Sequence, residues 1–360
     1  MLFGVGAFGQ ARWTESAANA WHAKQPWLVG ANYIPATAEN QLEMWQAETF
    51  DPARIDLELG WAEKLGMNSM RVFLHDLLWQ QDSEGFTKRV DTFLNIAAKH
   101  RIKPILVLFD SVWDPNPRLG KQLDPRPGIH NSRWVQSPGA AALRDPHEYP
   151  RLEAYVKGIV GAFANDARIL AWDIWNEPYN VHTRDPYRKA EPPNKRELVR
   201  RLLPRAFEWA RAANPSQPLT SGLVSAVGPL GEGEKLQIEL SDVVSFHAYT
   251  DAEKFRKAAR LLANYHRPIL CTEYMARSVH STFEGTMPVA KELHIAVYNW
   301  GLVNGRTQTH LPWDSWKKSY VRREPAVWFH DIFDFDGRPY RQSEVDFIRK
   351  IIPSENTFTQ

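Results

Sequence analysis

A single cysteine, Cys271, stands in 360 residues. An intrachain disulfide framework is excluded, and so is a zinc site built from cysteines. Charge of one sign is missing too: 44 Lys+Arg against 42 Asp+Glu leave a formal net charge of +2. That balance disfavours a wholesale electrostatic grip on nucleic acid or an anionic membrane, though it leaves room for a local basic patch. Arg196, Arg200, Arg201 and Arg205 follow helical spacing and read as a solvated helix face. No segment approaches the roughly 20 uninterrupted apolar residues of a membrane span. The 12 histidines show no close ligand spacing, such as His-x-x-x-His with a third ligand, so neither a metal nor another cofactor is expected. What the chain has in excess is tryptophan, 15 residues of it. Tryptophan joins an apolar face to a polar edge, which suits either a large aromatic core or a site that stacks on flat, hydroxylated ligands.

Short apolar runs alternate with helical patterns, the mark of a parallel sheet built from strand–helix–strand units. Strands are expected at 27–33, 70–75, 104–109, 169–175, 219–224, 243–249 and 268–273, with a weaker eighth around Trp300–Asn304. Helices are expected from Asp51-Pro52 onward and near 86–99, 150–164, 195–213, 251–265, 287–297 and 342–351. Eight such units imply an α/β chain folded as a (β/α)₈ TIM barrel. The alternative is an open doubly wound sheet, which usually carries a nucleotide-type glycine loop after its first strand; here Asn32-Tyr-Ile-Pro35 stands instead.

The barrel is expected to fill 27–360 as a single catalytic domain behind a leader, 1–26, with a short helix. The apolar stretch 2–11 resembles the tail of a secretory signal but has no positively charged region before it. A truncated signal peptide and a frayed terminus of a cytoplasmic protein both fit; the function argued below favours a secreted or periplasmic protein. Three connections, 110–148, 179–194 and 306–341, are too long for turns. They follow strands three, four and eight, so they rise from the C-terminal face of the barrel, where active sites sit.

Two carboxylates stand where barrel chemistry would place them. Glu177 closes the fourth strand in Trp175-Asn-Glu-Pro178, and Glu273 closes the seventh in Cys271-Thr-Glu-Tyr274. A lone strand-end glutamate is as readily a cap or an ion-pair partner. Two of them, on strands that face each other across a barrel, match the needs of glycosidic hydrolysis: one group protonates the leaving oxygen, and the other attacks C1 or activates water.

At these residues the chain resembles glycoside hydrolase family 5, or a close relative among the clan A barrels, over roughly 27–351. The resemblance rests on Asn176-Glu177-Pro178, on Glu273, on His247-x-Tyr249 and on Arg71 in the second strand. It implies retaining hydrolysis of β-linked poly- or oligosaccharides; separately, the chain is expected to act as a monomer. Glu177 would be the acid/base, Glu273 the nucleophile and Asn176 the partner of the sugar 2-hydroxyl, with Arg71 and Tyr249 holding Glu273. Transglycosylation on the same site and a non-catalytic carbohydrate-binding barrel are the alternatives. Charge supports the same division of labour: Arg71 beside Glu273 favours its anion, and that anion makes Glu177 keep its proton. Carboxyls about 5 Å apart would give retention, and 6.5–9.5 Å inversion.

The chain also departs from the family pattern. Asp110 stands after strand three where many members have histidine, and it either takes a substrate hydroxyl or caps the loop. The tryptophan that usually ends strand eight is displaced, because Trp300 reads as the start of that strand; Trp313 is the expected sugar platform, with Trp316 competing. Trp113, Trp134 and Trp45 are further subsite candidates, although a lone tryptophan is more often packing. His75-Asp76 reads as a structural pair. Trp61 and Trp209 sit in helical patterns, and the alternation on strand four leaves open whether Trp172 or Trp175 is core.

Overall fold

The computed structural model describes residues 10–184 and 186–358. Nine strands form one parallel sheet: β1 (Val29–Tyr33), β2 (Ser69–Phe73), β3 (Lys103–Asp110), β4 (Ala171–Asn176), β5 (Leu219–Thr220), β6 (Gly222–Leu223), β7 (Val244–His247), β8 (Ile269–Tyr274) and β9 (Ala296–Trp300). Their order is β5-β4-β3-β2-β1-β9-β8-β7-β6. β5 and β6 are two halves of one barrel strand, separated only by Ser221. The Ser221 hydroxyl donates to the Trp175 carbonyl at 2.7 Å, so the two ends of the sheet meet in one segment and the barrel closes. With helices between successive strands, this is the expected TIM barrel.

Every residue of β1, β2 and β4 is buried. That follows from a sheet whose outer face is covered by helices and whose inner face fills with side chains. The helices begin where short polar residues offer caps. Asp51 accepts from the Arg54 N–H ahead of Pro52–Lys64, and Asp251 from the Lys254 N–H ahead of Ala252–Ala263. The second of these turns Phe255, Ala258, Ala259 and Leu262 inward at helical spacing. A helix at Glu15–Ala23 lies under the opposite end of the barrel, where Ala18, Trp13 and Trp21 pack on Leu28, Leu170, Val243 and Leu270. The apolar stretch at 2–11 lies, apart from Gln10 and Ala11, outside the described residues. No helix among the described residues is long and apolar enough to cross a membrane.

Three local expectations are corrected. The helix expected at 86–99 runs from Asp76 to Lys99, broken at Asp82 (φ −163°, ψ 81°). A helix at Glu232–Leu240 was not anticipated. The eighth barrel strand is Ala296–Trp300 and not Trp300–Asn304, because the preceding helix is Phe283–Glu292 and the chain turns at His294 (φ 52°). A short apolar run such as 295–300 fits helix and strand equally by periodicity. Pairing with β1 and β8 decides it, and that places Trp300 at the C-terminal end of its strand.

The three long connections wall the mouth of the barrel. The first joins the third through Asn131 N–H to Thr307 O (2.8 Å), His130 N–H to Ser315 Oγ (3.0 Å) and Tyr320 N–H to Gly128 O (2.9 Å). It joins the second through Gln136 Nε2 to Glu191 Oε1 (2.8 Å). Buried Lys195 donates to Glu191 Oε1 (2.6 Å) and Ser111 O (3.0 Å), tying the second connection to the end of β3.

Candidate active site

Arg71, on β2 and wholly buried, is the hub of the barrel centre. Its Nε and Nη2 donate to Asp173 Oδ2 at 3.1 and 2.7 Å, and Nη2 also reaches Asn176 Oδ1 at 2.6 Å. Its Nη1 donates at 2.9 Å to both Asn32 Oδ1 and Glu273 Oε1. The other oxygen of Glu273 accepts the Tyr249 hydroxyl at 2.8 Å. Both oxygens of Glu273 are thus fixed, one of them by a cation.

Glu177 follows β4 with φ 47°, a region sparsely visited by non-glycine residues. Its N–H donates to Gly222 O at 3.0 Å, which holds the turn. Asn180 Nδ2 donates to its Oε2 at 2.6 Å, and His247 Nδ1 lies 2.6 Å from its Oε1. The same nitrogen is 3.4 Å from Glu273 Oε2. Gly222 makes room for this cluster: a Cβ there would stand 3.1 Å from Arg71 Nη2 and His247 Nε2 and 3.2 Å from Asn176 Oδ1.

One ligand-type atom from each of Glu177, His247 and Glu273 lies within 4.8 Å of the others. These are the donor types of a metal site, but Arg71 already sits against Glu273 as a cation and His247 Nδ1 is engaged with Glu177. Burial pushes the Glu177 carboxyl up to about 7, opposed by the Asn180 hydrogen bond and the charges of Arg71 and Lys195. Burial also raises Glu273, while His247, Arg71 and the Tyr249 hydrogen bond pull it back toward the anion. Contact favours the anion more at Glu273, which touches the Arg71 cation and the Tyr249 hydroxyl, than at Glu177, which touches Asn180 and the His247 imidazole. The charge of Glu177 in turn raises Glu273. Burial lowers His247 to about 4, leaving a neutral imidazole with one proton to share.

Arg71→Met would leave Asp173 buried without its cation. The expected cost is about 3–5 kcal/mol of unfolding free energy, read as a shift of the urea midpoint. A change under about 1 kcal/mol would mean that this ion-pair network does not hold the barrel centre.

A cavity of about 230 Å³ opens over the carboxylates, lined by Asp110, Asn176, Glu177, Asn180, Tyr249 and Glu273 together with Val112, Trp113, His130, Asn131, Trp134, His182, Trp300, Trp313 and His330.

No family model matches the sequence, and no curated protein does. Solved structures match over nearly the whole chain. GH5_18 from Streptomyces cattleya, in complex with GlcNAc, has a TM-score of 0.62 at 13% identity, covering 91% of this chain and 80% of its own. The endo-beta-1,4-mannanase from Thermotoga petrophila gives 0.57 at 13%, over 91% and 76%. The exo-beta-1,4-mannosidase Op5Man5 from Opitutaceae bacterium strain TAV5 gives 0.58 at 20%, over 90% of this chain but only 59% of its own. This is a TIM-barrel fold.

Within this barrel the residues singled out from sequence come together. Glu177, Glu273, Asn176, Tyr249, Asp110, Trp113 and Trp313 line the cavity, and Arg71 and His247 are hydrogen-bonded to its carboxylates. Asp110 caps its loop by accepting from Val112 N–H (3.1 Å), and it also orients Asn176, whose Nδ2 donates to it at 2.9 Å. Burial pushes Asp110 up to about 7, against hydrogen bonds from Asn176 and Trp134. Trp113 stacks on Trp316 at 5.2 Å and 16°, so Trp316 backs the lining without joining it.

Trp300 does line the cavity, edge-to-face with Trp134 at 5.6 Å, which corrects its reading as the start of a strand. Trp45 lies in the core among Phe50, Phe86 and Phe93 and is not a subsite residue. Trp172 and Trp175 are both core. His75 and Asp76 are structural, bonded to Gln136 O, Ser137 and Arg151. Sequence reasoning missed Asp173, Asn32, Asn180, His130, His182 and His330. For the first two, polar residues inside apolar strands were the available signal; the others lie in connections without periodicity.

Proposed function

We propose that this chain is a retaining hydrolase of β-linked glycosides, a single catalytic barrel over 27–360. Glu273 attacks the anomeric carbon, and Glu177 protonates the leaving oxygen and then activates water. The observation that carries this reading is the unequal pair of strand-end carboxyls. Their nearest oxygens fall within 4.8 Å, the range of a double displacement. Burial raises both, but one has the Arg71 cation and the Tyr249 hydroxyl on its oxygens, which favour its anion, and the other is raised to about 7. In this reading Asn176, oriented by Arg71 and Asp110, meets the 2-hydroxyl, and Trp300 and Trp313 offer aromatic faces.

The similar structures include complexes with GlcNAc and with Manb1-4GlcNAc and enzymes named as mannosidase and mannanase, so β-mannosides lead the substrate list. The interlocked connections around a cavity of about 230 Å³ favour trimming of short oligosaccharides over cutting within long chains. The test is incubation of the purified protein with β-1,4-linked manno-, gluco- and xylo-oligosaccharides and Manβ1-4GlcNAc, with the first-formed anomer followed by NMR. Release of the β-anomer is expected. Release of the α-anomer would replace double displacement with direct attack by water, and no cleavage of any β-glycoside would remove the hydrolase reading.

A further inference from the structure

Two imidazoles in the cavity have no part in the carboxylate chemistry. His130 comes from the connection after β3 and His330 from the one after β9, and their ring centroids stand 5.4 Å apart. Nδ1 of His130 is 2.8 Å from Leu311 O, and Nδ1 of His330 is 2.5 Å from Met275 O. A carbonyl oxygen only accepts, so each Nδ1 carries a proton, and in a neutral ring Nε2 then presents a bare lone pair. Burial keeps both rings neutral, with His130 lowered to about 4 and His330 well below its ordinary value. Both rings line the cavity, and neither Nε2 has a hydrogen-bond partner among the described residues.

The rest of the lining adds no positive charge. Among the described residues it contains no lysine or arginine; Arg71 and Lys195 lie behind it, committed to Asp173, Glu273 and Glu191. It does contain the carboxyls Asp110, Glu177 and Glu273. A group bound against the two Nε2 lone pairs must therefore donate hydrogen bonds and carry no negative charge. A hydroxyl meets both conditions; a carboxylate meets neither. The sugar concerned is the one beside Glu273, because the His330 ring lies 5.7 Å from that of Tyr249 and 6.2 Å from that of Trp313.

We propose that His130 and His330 are specificity residues that accept hydrogen bonds from hydroxyls of the sugar bound next to Glu273, selecting neutral sugars against uronic acids. This rests on the glycosidase reading above.

The experiment measures kcat/KM for 4-nitrophenyl β-glycosides of mannose, N-acetylglucosamine, glucose, xylose and glucuronic acid. It adds the 3-, 4- and 6-deoxyfluoro forms of the best neutral substrate. Fluorine cannot donate, so at least one of these is expected to lose about tenfold on the wild type. The glucuronide is expected to react at least roughly 100-fold more slowly than the best neutral sugar. His130→Asn and His330→Asn keep an N–H for the backbone carbonyl and delete Nε2. Each is expected to lower kcat/KM of the parent about tenfold and to abolish the penalty of the fluorinated analogue. Thermal melts check that each variant folds, and either variant alone suffices. Equal losses on parent and analogue would show a merely structural role and overturn the proposal, as would a glucuronide cleaved as fast as the neutral sugars. Those results leave the hydrolase reading standing, whereas failure of the wild type on every substrate overturns both.

Discussion

Glu273→Gln is expected to reduce kcat by roughly 10⁴-fold or more on every β-linked substrate, because an amide cannot attack the anomeric carbon. The carboxylate is fixed from both sides, by Arg71 Nη1 on Oε1 and by the Tyr249 hydroxyl on Oε2. A nucleophile fixed in this way would need no reorganisation before attack. A glutamine offers one acceptor to these two donors, so a modest stability loss of about 1–3 kcal/mol is expected beside the catalytic one. Urea titration separates the two effects. The sharper readout is covalent: a 2-deoxy-2-fluoro glycoside with a good leaving group should label the wild type on the peptide containing Glu273 and leave the variant unlabelled. A variant that kept a tenth of wild-type turnover, or a label found elsewhere, would remove Glu273 from the role of nucleophile.

How much of this site could be read from the sequence depends on where each residue sits. Glu177 and Glu273 were legible because each follows an apolar run at a strand end, and strand ends are where a barrel exposes chemistry. Arg71 was legible as a charge inside a strand that is otherwise apolar apart from Ser69. Its full set of partners was not, since Asn32, Asp173, Asn176 and Glu273 come from three other strands, and which inward side chains meet depends on strand stagger. Trp300 shows the limit most clearly. The run before it fits helix and strand alike, and moving the strand boundary by a few residues took the tryptophan from one end of the strand to the other. His130 and His330 were illegible for another reason: their connections are ordered by hydrogen bonds to each other, and such contacts leave no periodic trace.

Glu177→Ala is expected to separate substrates by leaving group. A 2,4-dinitrophenyl β-glycoside needs no proton on departure, so formation of the glycosyl–enzyme should proceed within about tenfold of wild type. An unactivated oligosaccharide should lose the full contribution of acid catalysis, about 10²–10⁴-fold. Without a base for water the second step slows, and a burst of phenolate should precede slow turnover; added azide, a nucleophile that needs no base, should restore the steady rate. The pH profile carries the sign of the same assignment. In the free enzyme Glu177 holds its proton up to about 7 because it is buried. As pH rises through that value the acid is lost, and kcat/KM on unactivated glycans should fall tenfold per unit. Under the proposed roles the acid limb would be that of Glu273, which must be ionised to attack. In Glu177→Gln the alkaline limb should vanish, since the amide does not titrate. Once Glu273 is glycosylated its negative charge is gone, an anion at Glu177 no longer meets a second carboxylate, and the pKa of Glu177 should fall. The same side chain then suits the base of the second step. An alkaline limb that stayed near pH 7 in Glu177→Gln would assign it to another group. Asp110, pushed by burial to about 7 and bonded to Asn176, would be the first to examine.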